Sequence, residues 1–275
     1  MQKILIISLI LFYTTILAGS SFSQKKVLLY TKNGKGYVHD NIPNAISMFD
    51  SLSKMMHFQL TVSEDPIIFN EIFLKQIDLI IFSSTNNDVF DTDIQRLEFR
   101  HYIEAGGKFF GIHSAVGTER NWTWFKQMLG CTFAWHPPFQ AFDVIKLAPN
   151  HASLKSIPMR WERKDECYFL KELFPGVQPI LAVDLLSLKA DSTNLSKVAI
   201  NKGTYGQYYP IAWEQDFDGG HILISTLGHD KNDYKSGAYV DYLKQSITYL
   251  LSYNKLKNYQ KVHSISKDDP AINLK

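Results

Sequence analysis

Five histidines stand at turns or strand ends beside small residues, glycine or proline: His39, His113, His136, His151 and His229. One carboxylate, Glu166, enters a strand from its loop side in Asp165-Glu166-Cys167-Tyr168. Imidazoles and a carboxylate that meet in one pocket have two chemical uses. Neutral imidazoles with a carboxylate bind Zn²⁺ or a similar divalent ion. Alternatively, a histidine and a glutamate divide base and acid duties on a polyhydroxylated substrate. Spacing alone argues weakly for the metal, because the chain has no HxxxH or HExxH pair.

His113 has the strongest local setting. Phe109 to Ile112 is an apolar run, and Gly111-Ile112-His113-Ser114 reads as a buried strand breaking into a sharp turn before a helix. The turn is like a nucleophile elbow, yet the residue two beyond Gly111 is a histidine. Ser114 stands one position past the elbow, where its Oγ is expected to point elsewhere; a small-molecule hydrolase using Ser114 is therefore a minor alternative. His229 also ends an apolar strand. His151 is equally well placed to cap a turn beside Asn150 and Ser153, and His57, His101, His221 and His263 have no special context. Among the tryptophans, Trp124 in Trp122-Thr123-Trp124 follows the elbow closely enough to face a sugar ring, with core packing as the competing reading.

These residues need a scaffold that brings strand ends together. Lys26–Tyr30, Phe58–Val62, Asp78–Ser84 and Lys108–Ile112 read as buried strands. Between them, Ile42, Ala45, Ile46, Phe49 and Leu52 follow helical spacing. Asp91–Ala105 is an amphipathic helix with capping residues at its start and Gly106-Gly107 at its end. Strand–helix alternation predicts βαβ units, a mostly parallel sheet and ligands at the carboxyl ends of its strands. The second half changes character. A short helix is expected over Asn121–Gly130, a strand over Phe142–Leu147, and shorter apolar pieces at Tyr168–Leu170, Ile180–Val183 and Val198–Ile200. Pro210–Trp213 and His221–Ser225 flank the turn Asp216–Gly220 as a hairpin, and a helix over Gly237–Leu251 closes the domain.

Composition bounds the class. The 275 residues carry 29 basic and 27 acidic side chains for a net charge of +2, with no basic stripe, so a nucleic-acid partner is excluded. Residues 1–24 read as a signal peptide: Lys3, the apolar run Ile4–Leu17, then a small polar stretch. Export to the periplasm or the extracellular space is therefore expected, and no later stretch reads as an integral membrane segment. Residues 25–253 form one domain, and the polar residues 254–275 are expected to be a loosely held tail. Cys131 and Cys167 read as small core residues, not a disulfide framework, although an exported chain would permit their pairing.

Together these motifs resemble the ThuA-like (trehalose utilisation) family, within the class I glutamine amidotransferase-like superfamily. The resemblance runs from Lys26 to about Leu251. Its carriers are His39-Asp40, Gly106–Ala115, Trp122-Thr123-Trp124, His136-Pro137-Pro138, Asn150–Ser153, Trp161, Asp165–Tyr168, Pro210–Trp213 and Gly219–His229. It implies a flavodoxin-like three-layer α/β/α sandwich with additional β-structure in the second half. It also implies that His113 replaces the catalytic cysteine of amidotransferases, so glutamine chemistry is lost. His39, His113, His136, Glu166 and His229 are the matched pocket positions; the implied roles are proton exchange by His113 and Glu166 and substrate binding by His39, His136 and His229, with His39, His113, Glu166 and His229 as the alternative ligand set for a divalent ion such as zinc. One departure is His151-Ala152, where the family often has His-Pro. The implied partner is a small-molecule carbohydrate, including oxidised (keto) sugars, acted on by hydrolysis, elimination or isomerisation. Non-catalytic glycan binding is the competing function, and homo-oligomerisation is left open.

Overall fold

The computed structural model describes residues 24–189, 197–198, 205–235, 237–253 and 256–272. Residues 1–23 of the expected leader and the last two residues of the apolar piece at Val198–Ile200 lie outside them. The first half runs β1 (Lys26–Tyr30), α1 (Ile42–Met56), β2 (Gln59–Ser63), α2 (Glu71–Leu74), β3 (Leu79–Ser83), α3 (Asp93–Glu104), β4 (Lys108–Ile112) and α4 (Thr123–Leu129). The second half adds β5 (Thr132–Trp135), β6 (Gln140–Lys146), β7 (Arg160–Asp165), β8 (Phe169–Lys171), β9 (Gln178–Asp184), β10 (Tyr208–Phe217), β11 (Gly220–Ser225) and α5 (Ala238–Ser252).

Nine strands form one sheet in the order β2-β1-β3-β4-β11-β10-β9-β6-β7, and β5 pairs with β8 separately. From β2 to β11 the neighbours are parallel. The remaining pairs, β11-β10, β10-β9, β9-β6 and β6-β7, are antiparallel. The chain leaves β1 for β2 on one side and returns to β3 on the other, so right-handed crossovers send helices to opposite faces. This is the flavodoxin-like α/β arrangement, with the expected β-rich second half attached as an antiparallel wing.

Local chemistry explains the elements that place the site. β1, β3 and β4 lie inside the sheet with helices over them, and their side chains are almost wholly buried, which is why they read as unbroken apolar runs. Thr92 and Gln95 close a capping box at the start of α3. The expected hairpin forms around the two-residue turn Asp218-Gly219, where φ is +46° and +96°. That pairing of left-handed residues matches the strand twist, and the Asp-Gly sequence supplies it.

The tail differs from expectation. Its described residues are tied to the body by backbone groups, a mode that a count of hydrophobic anchors overlooks. The buried Arg100 guanidinium donates to the carbonyls of Lys267, Asp269 and Pro270. Glu104 accepts from the His263 and Ser264 amides, Trp122 Nε1 donates to the Lys267 carbonyl, and Asp218 accepts from the Ile272 amide. Arg100 also pairs with Glu104 and Asp218, so one buried charge cluster clasps the chain end. Cys131 and Cys167 are buried free thiols.

Candidate active site

The loops after β1, β3, β4 and β11 meet above the carboxyl end of the sheet. His39 follows β1, and the nearby Asn41 side chain donates to the carbonyl of Gly228 in the loop after β11. His113 begins the turn after β4 with φ of +56°, a left-handed value rare for a residue with a Cβ. The elbow expected from Gly111-Ile112-His113-Ser114 is therefore present, although a 3-10 turn over His113–Gly117 follows it directly. Gly228 takes φ of +122°, and a Cβ there would lie 2.2 Å from the Tyr239 hydroxyl. Only glycine lets the chain turn tightly enough to bring His229 over the sheet.

Four of the predicted residues converge. One ligand atom each from His39, His113, Glu166 and His229 lies within 4.8 Å of the other three. The separations are 3.0 Å between the Nε2 atoms of His39 and His113, 3.8 Å from His113 Nε2 to Glu166 Oε2, and 3.1 Å from His229 Nδ1 to Glu166 Oε2. His136 lies beside them, its Nδ1 3.6 Å from Glu166 Oε1. His39, His136, Glu166 and His229 line a cleft of about 430 Å³, within the range of small-molecule sites, with the fully buried His113 beneath it; Tyr37, Asn86, Arg120, Phe133 and Tyr168 complete its wall.

Electrostatics follow from burial. Desolvation, chiefly, lowers the His39 and His113 pKa values to about 3, so both imidazoles are neutral at pH 7. Contact with Glu166 raises His229 above its ordinary value. Burial opposes ionisation of Glu166, but the close contact with His229 and the surrounding imidazoles outweigh it and hold its pKa low. The Tyr168 phenol is pushed well up by burial and by the Glu166 and Asp165 charges, so it remains a donor. Its hydroxyl lies 3.0 Å from His113 Nε2.

The tautomers suit a metal ligand set. The Thr226 carbonyl only accepts, so His113 Nδ1, at 3.1 Å, carries the proton and Nε2 presents a lone pair. His39 Nδ1 is 3.3 Å from Ser114 Oγ, which can donate or accept. Either His39 nitrogen can therefore be the bare one. His229 Nδ1 is buried with no well-aligned hydrogen-bond partner. Two ligands about 2.0–2.1 Å from a tetrahedral ion sit roughly 3.3 Å apart, close to the separations here. The donor set thus fits zinc or a similar ion.

Other positions fall elsewhere. Trp124 is buried away from the cleft, stacked on Trp122, with Nε1 donating to Asp218 Oδ2 at 2.7 Å. Its predicted sugar contact is corrected to a core role, since the short turn before α4 points the indole inward. His151 accepts from the Ser153 amide as a cap and pairs with Glu214, outside the cluster around Glu166. Ser114 Oγ lines the cleft and reaches His39, contrary to the expectation that it would point away.

Several contributors were not singled out by sequence. Asp165, fully buried, accepts from the amides of Glu166, Gly228 and His229 and from Arg163, fixing two site residues at once. A signal for it exists: β7 alternates, and its inward positions Trp161, Arg163 and Asp165 include two charges. Tyr168 is marked only as part of the motif Asp165–Tyr168, and Asn86 and Arg120 have no comparable signal.

Likeness to known proteins bears on the family and the fold. The trehalose utilisation (ThuA) family model matches residues 26–250. Among solved structures, a ThuA-like protein from Bacteroides uniformis superposes with a TM-score of 0.67 at 20% identity, covering 86% of this chain and 94% of that one. A ThuA-like protein from Parabacteroides merdae gives 0.61 at 13% identity, covering 88% and 100%. A GMP synthase component from Thermoplasma acidophilum gives 0.51 at 10% identity over 84% and 96%, a likeness of fold alone. No curated protein matches the chain. Because one family model spans residues 26–250, most of the sequence, the chain belongs to the ThuA, or trehalose utilisation, family.

Proposed function

We propose that this protein is an exported carbohydrate-active enzyme acting on a sugar or keto-sugar glycoside at the His/Glu cleft. The observation that carries the reading is the convergence of His39, His113, Glu166 and His229 on one point beneath a small-molecule cleft. Membership of a trehalose utilisation family supports a carbohydrate substrate, and the leader supports export. Among the described residues no helix is long and apolar enough to cross a membrane.

His39, His113, Glu166 and His229 would hold a divalent ion such as zinc. When bound, such an ion polarises a carbonyl or hydroxyl oxygen. The chain's own groups do the rest. Tyr168, kept neutral, holds its hydroxyl 3.0 Å from Nε2 of the buried His113, where the phenol can donate a hydrogen bond at the floor of the cleft. His136 is the most open of the pocket imidazoles, which suits it to exchange a proton with substrate and solvent. Phe133 and Tyr37 offer aromatic faces to the C–H face of a sugar ring.

The test is a panel of trehalose, other disaccharides and their keto derivatives, assayed with wild type and Glu166→Gln. Glu166→Gln preserves shape and removes the charge, and turnover of the processed sugar should fall sharply. Absence of turnover on every sugar, or full turnover by Glu166→Gln, would contradict the reading. A second reading, hydrolysis by Ser114, has the Ser114–His39 contact in its favour. The partner of His39 on its far side is His113 and not a carboxylate, so the charge-stabilising member of a triad is missing. Loss of activity in Ser114→Ala with Glu166→Gln fully active would favour it.

A further inference from the structure

The chain has five arginines, and four are paired with carboxylates. Arg96 meets Glu119 and Asp93, and Arg100 meets Glu104 and Asp218. Arg160 meets Asp143 and Asp184, and Arg163 meets Asp165 and Asp233. Arg120, on the cleft wall, is the exception: among the described residues no carboxylate lies in ion-pair range of it. The guanidinium is nevertheless held in place. Nε donates to the Gly117 carbonyl at 2.9 Å, Nη2 donates to Asn86 Oδ1 at 3.1 Å, and the group lies 5.4 Å from the centre of the Phe133 ring.

All three partners are neutral, so the positive charge is uncompensated, and donors of the five-N–H fork are left over. Ordinary exposed arginines move freely; this one is fixed at the edge of a cleft, which lowers the ordering cost of using it. Glu166 also lines the cleft but is engaged with His229, His113 and His136. The cleft therefore has a negative group at its histidine cluster and a separate free cation. A ligand carrying an acid would be drawn to this cation, while its neutral hydroxyls are left to face the histidine cluster.

Resting on the carbohydrate reading above, we propose that the cleft selects an acidic sugar, with Arg120 as the specificity-determining residue for its anionic substituent. A carboxylate matches the planar fork of the guanidinium best, and a sugar phosphate presents the same kind of charge.

The experiment measures affinities of D-glucuronate, D-glucose and D-glucose-6-phosphate by calorimetry, on the full mature chain as wild type, Arg120→Gln and Arg120→Lys. In the wild type at least one acid should bind about tenfold or more tightly than glucose. The better acid identifies the substituent. The acid-to-neutral ratio should fall to near one in Arg120→Gln and be partly kept in Arg120→Lys, which retains charge but loses the fork. Because the ratio is taken within each variant, the fraction of folded protein cancels. Glucose binding as tightly as both acids, or a ratio unchanged in Arg120→Gln, would overturn the role of Arg120 while leaving a sugar-binding cleft intact. Binding of none of the three would remove the carbohydrate reading and this inference with it.

Discussion

His113→Asn should lower turnover of the processed sugar by roughly 10²–10³-fold, the usual loss when one preorganised active-site group is removed. Asparagine is the informative replacement. Residue 113 sits at φ of +56°, which asparagine tolerates far better than most residues, so the elbow should keep its shape. What is lost is chemical. The Nε2 lone pair, set by the Thr226 carbonyl and facing His39, Glu166 and Tyr168, has no counterpart on a short amide. Steady-state kinetics with an unchanged far-ultraviolet circular dichroism spectrum would separate this loss from misfolding. Activity within a fewfold of wild type would remove His113 from the chemistry.

Arg100→Leu should destabilise the fold by about 3–5 kcal/mol, because it leaves two buried carboxylates without their counter-charge. Arg100, Glu104 and Asp218 side chains are all inaccessible to solvent. The same guanidinium holds the carbonyls of the 267–270 segment, so the chain end should also become a site of early proteolysis. Urea denaturation and limited proteolysis read the two effects. A change under about 1 kcal/mol with a protected terminus would mean that the cluster is dispensable.

The contrast between these residues shows what can be read from sequence. β1, α1, β3, α3 and β4 are legible because each obeys a local rule: an apolar run, a helical period, or a cap such as Thr92 with Gln95. The placement of β11 beside β4 is not local, since His221 pairs with Lys108 across more than a hundred intervening residues. The antiparallel wing is hidden for the same reason. In the site, histidines at strand ends are visible as chemistry, and a flavodoxin-like sheet gathers strand ends on one side, where His39, His113 and His229 lie together. Glu166 joins them because the buried Asp165 pins its amide and the His229 loop together. Trp124 misled because closeness in sequence to the elbow does not set the direction of a side chain. Arg120 gave no signal because its meaning lies in a missing carboxylate, which is a property of three-dimensional surroundings alone. The clasped tail was overlooked because its anchors are main-chain amides and carbonyls, which every sequence has.

The pocket is most directly probed by titrating Zn²⁺ into chelator-stripped protein purified without a metal-affinity tag, followed by calorimetry. One ion per chain should bind to wild type, and binding should be lost or greatly weakened in both His113→Asn and Glu166→Ala. No binding to wild type, or equal binding by both variants, would contradict a metal centre built from His39, His113, Glu166 and His229.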